Sequence, residues 1–270
     1  MSAMSRLFAG LIVGAIAFGH PLAATAQLAD ARRLYNQTRY DEAIKAATVA
    51  QSDPATIDEG SLIIARANLE RYRQSYNATH LTSARESLKS IHAVKLAPRS
   101  QGEYLVGLGE WLFLDDRYGA AAELFDAALG RTYDVGPGGR DRVLDWWATA
   151  MDRYAQVTPS RRTEIYQRIV DRMQEELRER PESNAGGYWL PAAARSMGDL
   201  DRAWQSAIAA WLRARVAADQ GAQLRPDLDR LVETAIIPER ARELAAPGND
   251  PKDAADVMLE EWAQLKTAWN

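Results

Sequence analysis

Apolar and small residues recur along most of this chain with the spacing of an α-helix. They return every three or four positions almost everywhere, and no segment alternates convincingly with a period of two. Thr56 stands three residues before Glu59, a spacing typical of a capping box at a helix start. Ser100 and Glu103 repeat this arrangement. The pattern predicts an all-α fold, with a loop at 136–139 where glycine and proline cluster.

Four segments repeat one pattern, in which an alanine follows an aromatic residue or leucine by three positions. A second core residue comes four positions after that alanine, and a third comes three positions later. We call these four residues the marker alanines: Ala43, Ala84, Ala121 and Ala203. A small residue is expected where two helices cross closely. A single helix pair cannot bury its own apolar face, so the repeats predict helix pairs that stack on one another.

The repeated pattern resembles the tetratricopeptide repeat (TPR) family. The best copy consists of Leu108, Gly109, Leu112, Tyr118, Ala121, Phe125 and Ala128. Two further clear copies surround Ala43 and Ala203, and the resemblance extends over about residues 28–216. It is fair for the pair at 57–96 and poor for the pair at 140–180. The resemblance implies an α-α superhelix, a right-handed solenoid of about five helix pairs.

The first 26 residues have the pattern of a secretory signal peptide. Arg6 is followed by an uncharged apolar run from Leu7 to Gly19, and Ala24 and Ala26 frame a small-residue cleavage site. The run is shorter than the roughly 20 residues that a membrane span requires. We therefore expect a periplasmic or secreted protein without a stable membrane span after cleavage. The alternative is an uncleaved membrane anchor.

The predicted repeat array covers residues 27–216, and C-terminal capping helices follow at 217–270. A linker is expected near 246–250, because alanine, proline, glycine and asparagine cluster there. The last predicted helix, 251–268, carries an apolar stripe consisting of Ala255, Met258, Leu259, Trp262, Leu265 and, just beyond it, Trp269. We expect this stripe to pack on the array as a cap. The alternative is a helix that binds a partner or a second copy of the chain.

The composition narrows the possible chemistry. The chain has no cysteine, which excludes disulfides and thiolate chemistry, and only three histidines, which makes a multi-histidine metal site unexpected. Its net charge of −4 argues against a dedicated nucleic-acid binder. Neither a P-loop nor a G-x-S-x-G motif is present. We expect no cofactor, no bound metal and no catalytic residues, and hence a protein that is not an enzyme.

The resemblance also implies that the first helix of each pair lines a concave groove. Alignment to the repeats gives these candidate groove residues: Arg32, Tyr35, Asn36, Arg66, Glu70, Glu110, Phe113, Tyr188 and Arg195. The arginines among them are expected to receive acidic groups, because guanidinium pairs bidentately with carboxylates.

Three hypotheses about function remain. The first is an exported TPR-like interaction or scaffold module that binds a peptide or protein partner in the cell envelope. The second is an accessory subunit of an envelope assembly that docks through its last helix. The third is a helical enzyme acting on glycans, which requires two carboxylates about 5–10 Å apart at one cleft.

Overall fold

A computed structural model describes residues 21–131, 138–245 and 250–269. Every extended regular element in these ranges is a helix, and most helices that follow one another along the chain pack together. This confirms the predicted all-α class of stacked helix pairs. The described ranges leave out residues 1–20 of the predicted signal peptide, part of the predicted glycine loop and most of the predicted linker.

The chain divides into two compact units between His92 and Ala93. The first unit contains α1 (Pro21–Asn36), α2 (Tyr40–Ala50), α3 (Ile57–Ser75) and α4 (Ala78–Ser90). Each helix packs on the next, and α1 also contacts α3, as the first helices of neighbouring repeats do. The proposed cleavage site lies inside α1, where Ala24 is 2% exposed.

The second unit consists of further helix pairs and the last helix. Its helices are α5 (Pro98–Leu114), α6 (Tyr118–Leu129), α7 (Gly139–Val157), α8 (Arg162–Glu179), α9 (Asn184–Ser196), α10 (Leu200–Arg213), α11 (Leu224–Leu231), α12 (Ile237–Leu244) and α13 (Pro251–Ala268). A π-helical turn at Val232–Ile236 joins α11 to α12. The predicted boundary after residue 216 falls within this unit, where a 3-10 turn at Ala214–Val216 follows α10.

The marker alanines lie where the repeat pattern places them. Ala43, Ala84, Ala121 and Ala203 are each 0% exposed and lie on the second helix of their pair. Protein interiors are close-packed, so a larger side chain at these positions would push the paired helices apart. The alanine spacing read from the sequence is therefore a packing register.

Three helix pairs share one turn geometry. The residue in the left-handed region of backbone space is Thr38 (φ 60°), Asp116 (φ 59°) or Gly198 (φ 83°). In each turn the next amide donates to the carbonyl five positions earlier, at 2.9–3.0 Å. This is the Schellman arrangement, which satisfies carbonyls left open at a helix end. The three turns therefore give their helix pairs the same entry into the second helix.

Aromatic rings fill the corner of two of these turns. The rings of Tyr35 and Tyr40 lie 5.6 Å apart, and those of Phe113 and Tyr118 lie 5.3 Å apart. In both cases the ring that opens the second helix packs on the ring that nearly closes the first. This is the role that the sequence pattern assigns to the aromatic residue ahead of the marker alanine.

The two predicted capping boxes are wrong, because neither Thr56 nor Ser100 caps its helix. Thr56 occupies the position before α3, but its buried hydroxyl donates to the carbonyl of Ala50 and makes no cap to α3. Ala50 is the last residue of α2, and its carbonyl accepts no hydrogen bond within the helix. This carbonyl and the start of α3 therefore compete for the Thr56 hydroxyl. Ser100 lies inside α5, which begins at Pro98, since proline is favoured in a first helical turn.

The last helix closes the apolar end of the second unit. Trp262 of α13 is 1% exposed, and its ring centroid lies 5.9 Å from that of Trp204 and 5.3 Å from that of Trp211. Its indole N–H donates to Asp229 at 2.7 Å, which satisfies the only polar atom of a buried side chain. One face of α13 therefore packs as a cap on α10 and on the helices that follow it.

Candidate functional site

Three predicted groove residues of the first unit come together where α1 faces α3. Arg32 forms an ion pair with Glu59 of α3. The guanidinium of Arg66 lies over the ring of Tyr35, 4.9 Å from its centroid, in a cation–π contact. The interaction between these two helices thus engages the very side chains that the resemblance assigns to a groove.

The two other candidates of this unit lie near the ends of their helices. Asn36 is exposed as the last residue of α1, and Glu70 of α3 accepts a hydrogen bond from Arg73 at 2.6 Å. Each lies within about one helical turn of a cluster residue on its own helix, Asn36 of Tyr35 and Glu70 of Arg66.

In the second unit the predicted candidates occupy different environments. Glu110 of α5 is 2% exposed, and Phe113 is the half-buried corner aromatic described above. Arg195 of α9 pairs with Glu239 of α12, with its Nε 3.0 Å from Oε2. Arg195, like Arg32, therefore already holds a carboxylate of the protein itself. The acidic ligand groups expected at these two arginines would have to displace those partners.

Tyr188 is the predicted residue that lies in a cleft. This cleft, of about 830 Å³, is formed by the N-terminal halves of α7 and α9, the C-terminal end of α8, and residues 217–227. Its volume is within the range of about 300–1,000 Å³ that ligand pockets occupy. We refer to it as the α7–α9–α11 cleft.

Glycines bring the walls of this cleft together. A Cβ at Gly187 would lie 2.6 Å from Leu224 Cδ2, and one at Gly186 would lie 2.9 Å from Leu177 Cγ. The absence of side chains therefore lets α9 approach both α8 and α11 closely. Tyr188 follows directly on this contact and enters the cleft beside Leu224.

Asp141 anchors the start of α9 to α7. Its carboxylate accepts from the backbone N–H of Ala185 at 3.2 Å and from the hydroxyl of Ser183. Ser183 in turn accepts from the N–H of Gly186 at 3.0 Å, as an N-cap residue does. The acceptor oxygens of Asp141 thus serve the helix start, which negative charge also stabilises.

Two more carboxylates of the cleft are held by protein groups. Glu176, 3% exposed, pairs with Arg140 at 2.8 Å and with Arg180 at 3.3 Å. Burial alone would raise the pKa of Glu176, but the hydrogen bond and charge of Arg140, with the charge of Arg180, hold it below its ordinary value. Asp219 accepts two backbone N–H groups at 3.0 Å, at the turn before α11.

Asp145 is differently placed. Its carboxylate is accessible to solvent at the cleft wall, and among the described residues it accepts one side-chain hydrogen bond, from the indole of Trp189 at 2.8 Å. Reduced hydration inside the cleft raises the pKa of Asp145; the Trp189 bond opposes this, and the charges of Asp141 and Asp227 add to it.

Asp227 of α11 faces the same space. Its side chain is 60% exposed and lies 3.5 Å from Arg230, the long contact of an exposed ion pair. Its negative charge contributes to the raised pKa values of both Asp145 and Tyr188, which places the three groups within electrostatic reach of each other.

Tyr188 presents an aromatic surface and a hydroxyl to the cleft. Its ring packs edge-on against Trp189, with centroids 5.5 Å apart. Burial, followed by the charges of Asp227 and Asp145, raises the pKa of the Tyr188 phenol, which therefore stays protonated at neutral pH. Within the described part of the chain, this hydroxyl makes no hydrogen bond.

The described cleft lining is acidic overall, with six carboxylates and three arginines. Arg140 and Arg180 are engaged by Glu176, whereas Asp145, Asp227 and the exposed Glu182 keep acceptor oxygens open to solvent. Such a site attracts positively charged groups. Over the described ranges, no cluster of histidine and carboxylate side chains is arranged to hold a metal ion.

Sequence reasoning found Tyr188 but missed Asp145 and Asp227. One sequence feature points to Asp145, since Asp141 and Asp145 are four residues apart and so lie on one face of α7.

Among the described helices, none combines the length and apolar character needed to cross a membrane. The chain matches no protein-family model and no curated protein.

Proposed function

We propose that this protein is an exported, non-catalytic interaction module of TPR-like design, which binds a peptide or protein partner in the cell envelope. The observation that carries the proposal is the α7–α9–α11 cleft, which is built on the first helices of successive pairs. Stacked helix pairs commonly use this face as an extended binding surface. The aromatic ring of Tyr188 adds the type of side chain that is enriched in binding hot spots.

Site-specific cross-linking tests this proposal. A photoreactive phenylalanine analogue is placed at Tyr188, and in a matched control at Tyr76, a tyrosine of the first unit that is 81% exposed. Irradiation of whole envelopes should give one dominant adduct from position 188 and none from position 76. If position 188 yields no adduct above the control, the cleft is not the binding site and the proposal fails.

The envelope location rests on the signal-peptide pattern and has its own test. Cleavage after Ala26 would remove the first residues of α1 and leave Ala31 and Leu34, which belong to the core of the first unit. If the chain is cleaved after Ala26, the N-terminal sequence of the protein from the periplasm or medium should begin at Gln27. Recovery of uncleaved chain from the membrane fraction would support the anchor alternative.

Docking through α13 remains the second hypothesis, and the structure sharpens its test. Removing α13 would uncover Trp204 and Trp211, so loss of association after truncation would not distinguish docking from unfolding. Val257 lies on the outer face of α13 and is 68% exposed. Replacement by glutamate leaves the cap packing intact, so abolished association in this variant would favour docking through α13.

A glycan-acting enzyme keeps one supporting observation. Asp145 and Asp227 line the same cleft, and Asp145 has a raised pKa, as a general acid requires. This hypothesis predicts that the protein releases reducing ends from envelope glycans and that Asp145→Asn abolishes the release. Equal release by the natural protein and the Asp145→Asn variant, or no release by either, would exclude the enzyme hypothesis.

A further inference from the structure

We infer that the α7–α9–α11 cleft binds a basic segment of its partner, with a lysine or arginine side chain placed between Asp145, Asp227 and the ring of Tyr188. This inference rests on the proposed function and specifies the chemistry of the partner. The ligand charge that it assigns is opposite to the one expected from the sequence, in which the groove arginines receive acidic groups.

The charges of the cleft support a cationic ligand. Two arginines of the cleft lining, Arg140 and Arg180, form ion pairs with Glu176, which is 3% exposed. If both turned to Asp145 or Asp227, the buried carboxylate of Glu176 would be left unpaired. Among the described residues of the lining, Arg142 is the remaining arginine, and it is exposed.

The apolar and aromatic parts of the cleft suit the rest of such a side chain. Lysine and arginine pack their methylene stems on apolar surface and keep the charged end on polar groups. Leu224, Ala217 and the ring of Tyr188 line the cleft and offer this surface. The face of a tyrosine ring also attracts a cation directly, and carboxylates beside it strengthen the attraction.

Two further observations agree with a donor-rich, positively charged ligand. The raised pKa of Asp145 reflects a carboxylate with reduced hydration and negative neighbours, a situation that a bound cation relieves. Asn184 also lines the cleft, and its side-chain oxygen is shielded from solvent without a donor among the described residues. Buried acceptors of this kind are rare in folded proteins.

Calorimetric titration with defined peptides tests the inference. The probes are two blocked hexapeptides, one alternating lysine with alanine and one alternating glutamate with alanine. The purified protein should bind the lysine peptide and not the glutamate peptide, with affinity that falls as salt rises. Asp145→Asn and Asp227→Asn should each weaken binding about fivefold, the scale of an accessible charge pair. Tyr188→Leu should weaken it as well, through loss of the ring face.

The matched control is Glu175→Gln on α8. Glu175 is exposed and lies outside the cleft lining, so this variant changes the net charge equally and should bind the lysine peptide unchanged. Equal weakening in this control and in Asp145→Asn would show non-specific attraction and overturn the inference. Preference for the glutamate peptide, or no binding of the lysine peptide, would also overturn it.

The cross-linking result keeps this outcome separate from the proposed function. If position 188 captures a partner while the lysine peptide fails to bind, the cleft binds a partner of other chemistry and only the inference is lost. If neither experiment shows binding, both are lost. Circular dichroism of each variant confirms that the helices remain folded.

Discussion

Gly109 of α5 lies directly against the ring of Phe125 of α6. A Cβ at position 109 would be 2.7 Å from the ring carbon Cε1, inside normal contact distance. The glycine and the phenylalanine thus form one close contact between the two helices of a pair. Since the ring is 2% exposed and closely packed, it has little room to move away.

We therefore expect Gly109→Ala to destabilise the protein by about 1–3 kcal/mol, the scale of overpacking in a core. Urea unfolding measures the change. Gly130→Ala is the control, because its Cβ would meet nothing closer than 3.7 Å and its backbone has a φ of −67°. Adding Phe125→Leu to Gly109→Ala should recover part of the loss. Equal stability of the two alanine variants would contradict the contact.

The shared turn geometry predicts two substitutions of opposite sign. Thr38 is a β-branched residue at φ 60°, whereas Gly198 occupies the equivalent place at φ 83°. Left-handed backbone costs a non-glycine residue about 1–2 kcal/mol, and glycine loses more freedom on folding by about 0.5–1 kcal/mol. Thr38→Gly should stabilise the protein by up to about 1 kcal/mol, and Gly198→Ala should destabilise it by about 1 kcal/mol. Thermal unfolding should show these two shifts in opposite directions.

The buried ion pair of Glu176 predicts a loss of stability in acid. Its pKa is lowered in the folded protein, so its contribution is present above its ordinary value near 4.3 and is lost as pH falls through the folded value. Glu176→Gln leaves Arg140 and Arg180 without their carboxylate and should cost about 3 kcal/mol at pH 7. The difference from the natural protein should shrink at pH 3.5. An unchanged difference across this range would contradict the prediction.

Asp145 predicts the opposite dependence on pH. Its raised pKa favours the protonated carboxyl in the folded state. The contribution of Asp145 to the free energy of unfolding is therefore complete below about pH 4, and it is lost as the pH rises through the pKa of the folded state. Asp145→Asn should raise the melting temperature at pH 7 by about 1–2 °C, a small effect because solvent screens the accessible group. At pH 3.5 the two proteins should melt together. Glu175→Gln serves as the control for the removal of one exposed negative charge.

The cap formed by α13 predicts a large effect from one tryptophan and a small one from another. Trp262→Ala should destabilise the protein by about 3–5 kcal/mol, since it removes a side chain that is 1% exposed. It also deprives Asp229 of the indole hydrogen bond. Trp269 is 48% exposed, and Trp269→Ala should change stability by less than about 0.5 kcal/mol. Denaturant unfolding followed by circular dichroism compares the two, and similar losses would contradict the assigned packing.

The helices and their packing register could be predicted because their signal is local. The marker alanines and the corner aromatics are separated by a few residues, so the helical period reveals which positions share a face. The hydrogen bonds at the helix starts could not be predicted. Thr56 is buried against α2, and its hydroxyl donates to the carbonyl of Ala50 instead of capping α3. A local motif cannot anticipate a competing acceptor from a neighbouring helix.

The cleft depends on contacts across pairs, which the sequence pattern does not specify. Trp189 reaches Asp145, and Ala185 reaches Asp141, in each case across 44 residues. Only the stacking of α7 against α9 brings these groups together. For the same reason the sequence does not predict the partners of Arg32 and Arg195, since Glu59 and Glu239 lie on other helices.

The division of the chain at His92 has a spectroscopic consequence. All eight tryptophans lie beyond it, between Trp111 and Trp269, while the first unit holds none. Indole emission therefore reports on the second unit alone, whereas helical ellipticity sums over both. If the two signals give the same denaturant midpoint, the units unfold as one cooperative block; if they separate, each has its own equilibrium. The natural sequence thus carries an optical label for one of its two units.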